Sequence, residues 1–251
     1  MTNRLSQIQA LVLMSHDFQE SSRMVEVFTR EKGKLTLVCK GARRNKSPLL
    51  NLTEPYIEAE MNLIEGRSSY YLKDGHITDA HLGLRKSVRR MGLAAFSAEL
   101  VRAVLFEGAD EELFDFYQAF LKVADQAPDQ AATSLAGAFL LKLSSLIGFR
   151  PSLGRCLVCS KRIQPPCTFD LVGGGMICEH HQGQGPKIEQ EVYDELTDYI
   201  LKSFEEIARN DENRKEASQK GAAGLALQYF QIHTERNGLK CVNLLQSLHV
   251  L

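Results

Sequence analysis

The chain has 251 residues, enough for one large domain or two modest ones with a buried core. At 44% hydrophobic, 24% charged and net charge −1, its composition is ordinary for a soluble globular protein, and charge has to be read by segment. No run approaches the roughly 20 apolar residues that cross a bilayer, and Met1–Gln7 lacks the apolar core of a signal peptide. A cytosolic chain is expected, with its six cysteines as reduced thiols or metal ligands.

The first part of the chain reads as strands. Ile8, Ala10 and Val12 alternate within Gln7–Met14, and Met24–Thr29 and Lys34–Cys39 repeat that period of two. The link Arg30–Gly33 between the latter two suits a hairpin. Tyr56–Ile64 alternates again, and Ser68–Leu72 is short and aromatic. Five short strands predict a small barrel or sandwich, because open edges must be closed or covered.

Near Asp79 the period lengthens. Leu93, Phe96, Leu100 and Val104 recur at helical spacing, as do Leu113, Phe116, Tyr117, Phe120 and Leu121 within Glu111–Asp125. Ala131–Leu146 is apolar almost throughout, which predicts a helix buried on most sides. Helices resume at Glu189–Arg209 and Ala222–Glu235, with polar Asn210–Lys220 as a loop between them. The fold class is therefore α+β. A strand domain spans residues 1–80 and a helical domain residues 81–251, with a cysteine-bearing insertion at about 150–185.

Cys156 and Cys159 are followed by Cys178 and His181, the pattern C-x2-C-x18-C-x2-H. Ligands two residues apart turn onto one metal through a tight knuckle, and a second knuckle completes a tetrahedron. Gly173, Gly174 and Gly175 give the returning chain its freedom before Cys178. Four protein ligands leave no open position for water or substrate, so the expected ion is one structural zinc. Free thiols or a redox pair at Cys156 and Cys159 are the alternatives, and His180 competes with His181 as the fourth ligand. Cys39, Cys167 and Cys241 read as structural thiols.

Charge is segregated. Residues 23–46 carry eight cations against two acids, whereas residues 47–79 have a net charge of −4. A basic ribbon of Arg23, Lys34, Lys40, Arg43, Arg44 and Lys46 fits a phosphate backbone. A solvated hairpin would carry the same charges, but four cations within Lys40–Lys46, at a strand end, favour a ligand. Phe28, Tyr70 and Tyr71 could stack bases, although Phe28 fits the core. Arg85–Arg90 is a second basic cluster, either a solvated first helical turn or an extension of that surface. A P-loop, a Gly-x-Ser-x-Gly elbow and a His-Glu-x-x-His motif are absent, the His-x-Glu of zinc deaminases does not accompany the cysteine cluster, and His16, His76, His81, His233 and His249 are scattered. No catalytic residue is assigned.

Three stretches, in order along nearly the whole chain, resemble one family. They are Glu20–Thr29 with Gly33-Lys34-Leu35 and Lys40–Arg44, then Leu146–Phe149 leading into the two knuckles with Phe169-Asp170, and finally Tyr229–His233 with Leu239–Leu245. Together they resemble the RecO family of bacterial recombination-repair proteins. That resemblance implies an N-terminal OB-fold, a helical domain with an inserted zinc site, and a non-enzymatic, cytoplasmic, nucleoid-associated protein. It implies binding of single- and double-stranded DNA and annealing of complementary strands. It further implies loading of RecA, with RecR as partner, onto strands coated by the single-strand-binding protein SSB. The acidic C-terminal tail of SSB would sit in an apolar hollow with a cation on the helical domain. A zinc-ribbon RNA-binding adaptor is the alternative function.

Overall fold

The computed structural model describes residues 4–67, 69–105, 108–209 and 215–251. Among these, β1 (Arg4–Phe18), β2 (Ser22–Thr29), β3 (Gly33–Cys39), β4 (Glu58–Glu65) and β5 (Tyr70–Asp79) close a barrel in the order β1-β2-β3-β5-β4. All neighbours are antiparallel except β3 and β5, which pair in parallel through Leu37↔Tyr70 and Val38↔Tyr71. This is the OB-like closure. Long β1 serves two neighbours, and a bulge between Val12 and Met14 bends it from β4 to β2.

The period-two pattern sends Ile8, Ala10, Val12, Val25, Val27, Leu37, Ala59, Met61, Leu63 and Leu72 inward. The segment between β3 and β4 adds Ala42, Leu49, Leu52 and Ile57 to this core. Each large side chain so buried contributes about 1.5–3 kcal/mol. β5 runs well past Leu72, where the sequence pattern stops, because pairing with β4 continues through Lys73–His76 at the cost of a bulge. Gly75 permits it: a Cβ there would lie 2.5 Å from the Glu60 carbonyl. The predicted start of this strand, Ser68, lies outside the described residues.

The helices are α1 (Val88–Val104), α2 (Glu111–Gln126), α3 (Ala132–Leu146), α4 (Gln190–Leu201), α5 (Phe204–Arg209), α6 (Glu216–Thr234) and α7 (Lys240–Ser247). The first helix begins at Val88, after a 3-10 turn at Leu84–Lys86, several residues beyond the start of the helical domain expected at residue 81. α4 and α5 divide the helix expected over Glu189–Arg209, with the break at Lys202 and Ser203. Glu216–Lys220 are helical rather than loop, while residues 210–214 lie outside the described residues. α7 has no counterpart in the sequence reading.

Contacts divide the chain into two compact units: Met1–Lys86 with Ala98–Asp125, and Ser87–Ser97 with Gln126–Leu251. In the first, α2 covers part of the barrel's outer face. Phe28 meets Phe114 edge-on at 5.3 Å, and Gln118 Nε2 donates to Glu58 Oε1 at 2.6 Å. Arg102 of α1 donates twice to the Glu26 carboxylate, at 2.7 and 3.0 Å. In the second unit, α3 is buried on nearly every side, packed by α4 and α6. Gly137 allows the close approach: a Cβ there would lie 2.4 Å from the Tyr199 ring.

Between α3 and α4, β6 (Cys167–Asp170), β7 (Gly175–Cys178) and β8 (Lys187–Ile188) form a small sheet in the order β7-β6-β8. The turn joining β6 to β7 is held by Asp170, whose carboxylate accepts from Gly173 N–H at 2.7 Å. Gly174 takes φ +80, a value that only glycine adopts freely. α6 anchors this sheet. Tyr229 stacks on Phe169 at 5.6 Å, and His233 Nε2 lies 2.9 Å from the Leu171 carbonyl oxygen.

Candidate metal centre and nucleic-acid interface

The two knuckles converge. Cys156 and Cys159 sit in a tight turn ahead of β6, Cys178 ends β7, and the Cys178–His181 turn is closed by His181 N–H donating to the Cys178 carbonyl at 3.0 Å. The donor atoms of Cys156, Cys159, Cys178 and His181 all lie within 4.8 Å of one another. Cys159 Sγ is 3.9 Å from Cys178 Sγ, and Cys178 Sγ is 3.2 Å from His181 Nδ1. Tetrahedral zinc, with Zn–S bonds near 2.3 Å, sets sulfur–sulfur edges at about 3.8 Å, so the cluster has the right size and donor chemistry. His180 stays outside the cluster, with an exposed side chain 4.0 Å from Glu179.

Burial opposes charge on Cys156, but hydrogen bonding outweighs it and brings the thiol down to about 6. The N–H groups of Cys178 and Val158 each lie 3.4 Å from its sulfur. Such N–H···S bonds favour the thiolate, the form that binds metal. Cys167 has Cys178 as its cross-strand partner yet remains outside the cluster. Its sulfur faces Met176 Sδ at 3.8 Å, and burial pushes its thiol up to about 11. Cys39 lies inside the barrel, and burial raises it to about 12. Neither environment favours a reactive thiolate. A metal in the four-ligand cluster would tie the Cys156–Cys159 turn to the end of β7, far apart in sequence, and so supply folding energy.

The six basic-ribbon residues fall into two sets. Arg23 occupies an inward register, opposite Cys39, at the end of the barrel. Its guanidinium donates to Thr53 Oγ1 at 3.0 Å and to Glu54 at 2.7 Å. Lys34 points outward but lies 3.5 Å from Glu26, which also receives Arg102. Arg43 pairs with Asp17 at 3.1 Å and hydrogen-bonds the Glu20 carbonyl. Lys40, Arg44 and Lys46 are exposed, and none forms an ion pair with a described carboxylate. The 40–46 segment is a compact turn. Arg44 N–H donates to the Gly41 carbonyl at 3.1 Å, and Gly41 and Lys46 take positive φ.

The second basic cluster acts mainly within the protein. Arg85 donates to the carbonyls of Ala80 and Pro55, Arg89 to that of Asp129, and Arg90 pairs with the Asp129 carboxylate at 3.5 Å. A cationic stretch that sequence reasoning missed lies in the second unit. Residues 130–169 contain Lys142, Arg150, Arg155, Lys161 and Arg162 and no Asp or Glu. Counting charge over this window would have found it.

Two family models cover the chain: "Recombination protein O N terminal" over residues 1–81 and "Recombination protein O C terminal" over residues 85–240. Curated relatives agree. A DNA repair protein RecO from Alkaliphilus metalliredigens is 31% identical over 238 residues, covering 92% of this chain and 95% of its own. One from Thermoanaerobacter sp. is 32% identical over 176 residues, 70% of each chain. One from Myxococcus xanthus is 33% identical over 172 residues, covering 68% of this chain and 70% of its own. An OB-like barrel, a helical unit carrying a metal-ready Cys3His cluster, and family matches from residue 1 to residue 240 lead to one assignment: the chain belongs to the RecO family of DNA repair proteins.

Proposed function

We propose that this protein is a recombination mediator that works by binding and aligning strands, without covalent chemistry. The observation that carries the reading is the exposed turn at the end of β3, where Lys40, Arg44 and Lys46 lack ion-pair partners among the described residues. Unpaired cations on a barrel rim attract phosphates and release counterions. Screening phosphate charge on two complementary strands lowers their repulsion, and base pairing then supplies the driving force for annealing. Arg23, Lys34 and Arg43, already paired to carboxylates, shape and position this surface more than they contact DNA.

The cluster of Cys156, Cys159, Cys178 and His181 holds one zinc in this reading, and the closed shell keeps it structural. RecR is the proposed partner in loading RecA onto SSB-coated strands. For the acidic SSB tail we propose the hollow of about 320 Å³ between Leu153 and α4. Leu153, Ile200 and Leu201 give it an apolar lining, and Arg150 and Arg155 stand at it without described carboxylate partners. No described helix is long and apolar enough to cross a membrane. Equilibrium titrations of single-stranded DNA, duplex DNA and structured RNA, at equal length and salt, test this function. Binding of both DNA forms is expected, and a clear preference for structured RNA would instead select the zinc-ribbon RNA adaptor.

A further inference from the structure

Alternation along β5 directs Tyr70 and Leu72 toward the barrel core and Tyr71 outward. Strand register aligns Tyr71 with Val38 on one side and Ile64 on the other. Val38 in turn sits opposite Met24, and Ile64 opposite Leu5. The five side chains form one row around the outer face. None of them is fully buried, and Leu5 is 55% exposed. A half-solvated antiparallel sheet ordinarily turns polar residues outward. Further along β2 the outward positions are covered within the same unit, Phe28 by Phe114 and Glu26 by Arg102. Over Tyr71 stands the Lys40 ammonium, and Met24, Val38, Ile64 and Tyr71 all keep part of their surface exposed.

Two details give the row a direction. Lys40 Nζ stands 4.7 Å from the centroid of the Tyr71 ring, so the aromatic face and the first cation of the exposed turn meet at one point. Gly66 borders the ring, where a Cβ would lie 2.9 Å from its Cε2, so the turn after β4 packs closely against it. An aromatic face next to a cation-bearing rim suits a nucleotide. The base offers a π-face, and its phosphate can take the lysine from the ring. A duplex hides its base faces in its own stack and offers such a platform only phosphates.

We propose that Tyr71, centred in the row Met24, Val38, Ile64 and Leu5, is a stacking platform for unpaired bases, which lets the protein hold a single strand differently from a duplex. This deepens the DNA-binding reading above and rests on it. The identity of the base does not matter, since every base has a π-face, so the occupant is any unstructured strand. An anionic protein docked on the same row would use its apolar side chains but not base faces.

The chain has no tryptophan, so Tyr71→Trp places a single indole reporter on the platform. Titration of the full-length variant with an unstructured oligonucleotide, and with an abasic strand of equal length, should quench emission strongly with the first and much less with the second, whose phosphates only draw Lys40 from the ring. In parallel, Tyr71→Ala should weaken single-strand binding about tenfold, while Tyr71→Phe retains it and duplex affinity stays put. Equal emission changes with natural and abasic strands overturn the platform while leaving DNA binding intact. So does an equal loss of single-strand and duplex affinity in Tyr71→Ala. Failure of the unaltered protein to bind either form overturns the DNA reading and the platform with it.

Discussion

Replacing Lys40, Arg44 and Lys46 together with alanine removes exposed cations that hold no described carboxylate, so the fold loses little. The electrostatic loss is calculable. Each phosphate contact on a single strand contributes about 0.7 to the slope of log affinity against log salt, so the triple variant should flatten that slope by about 2. Between about 50 and 200 mM salt its deficit against the unaltered protein should therefore shrink roughly 20-fold. Arg23→Ala is the contrasting variant. Its guanidinium is committed to Thr53 and Glu54, so its removal should cost stability, on the order of 1 kcal/mol, and leave the slope nearly unchanged. Fluorescence anisotropy with a labelled oligonucleotide, repeated across salt, measures both. An unchanged slope in the triple variant, or equal flattening by Arg23→Ala, would refute the placement of phosphates on this turn.

The metal cluster and one half-buried ion pair give further tests. Elemental analysis of freshly purified protein should find one zinc per chain. Cys156→Ala or Cys178→Ala should lose it and destabilise the second unit by several kcal/mol while sparing the barrel's DNA contacts; protein free of metal when fresh would contradict this. Hydrogen bonds from Arg102 hold the Glu26 carboxyl below its usual value of 4.5, against the opposing effect of burial. A lowered folded-state value adds stability that is present above pH 4.5 and lost as pH falls through that lowered value. The melting-temperature gap between the unaltered protein and Arg102→Ala should thus be full at neutral pH and narrow in acid. An equal gap at both ends would show that Arg102 acts through packing alone.

Local signals carried most of the fold. Alternation located the barrel strands because the inward residues needed for its core repeat every second position. The apolar run Ala131–Leu146 is indeed the buried centre of the helical unit. What pairing and packing impose was harder to read. Polar Lys73–His76 looks like a turn but is strand because β4 runs beside it. The sequence of α2 announces a helix but not that Phe114 covers Phe28. The cluster was legible because knuckle spacing is itself geometry, but the sequence left His180 and His181 open, and it is His181 that lies with the three cysteines. The basic ribbon was only partly legible. Charge counts show eight cations in residues 23–46, but not that Arg23, Lys34 and Arg43 meet Glu54, Glu26 and Asp17 from elsewhere in the chain.

Strand annealing tests the central claim most directly. Complementary oligonucleotides, bare or coated with SSB, would be mixed with the protein, with its Lys40/Arg44/Lys46 alanine variant, and with or without a RecR partner. The account predicts faster duplex formation with the unaltered protein at low salt and a large loss with the variant. Annealing no faster than that of the strands alone, on bare and coated DNA alike, would contradict it.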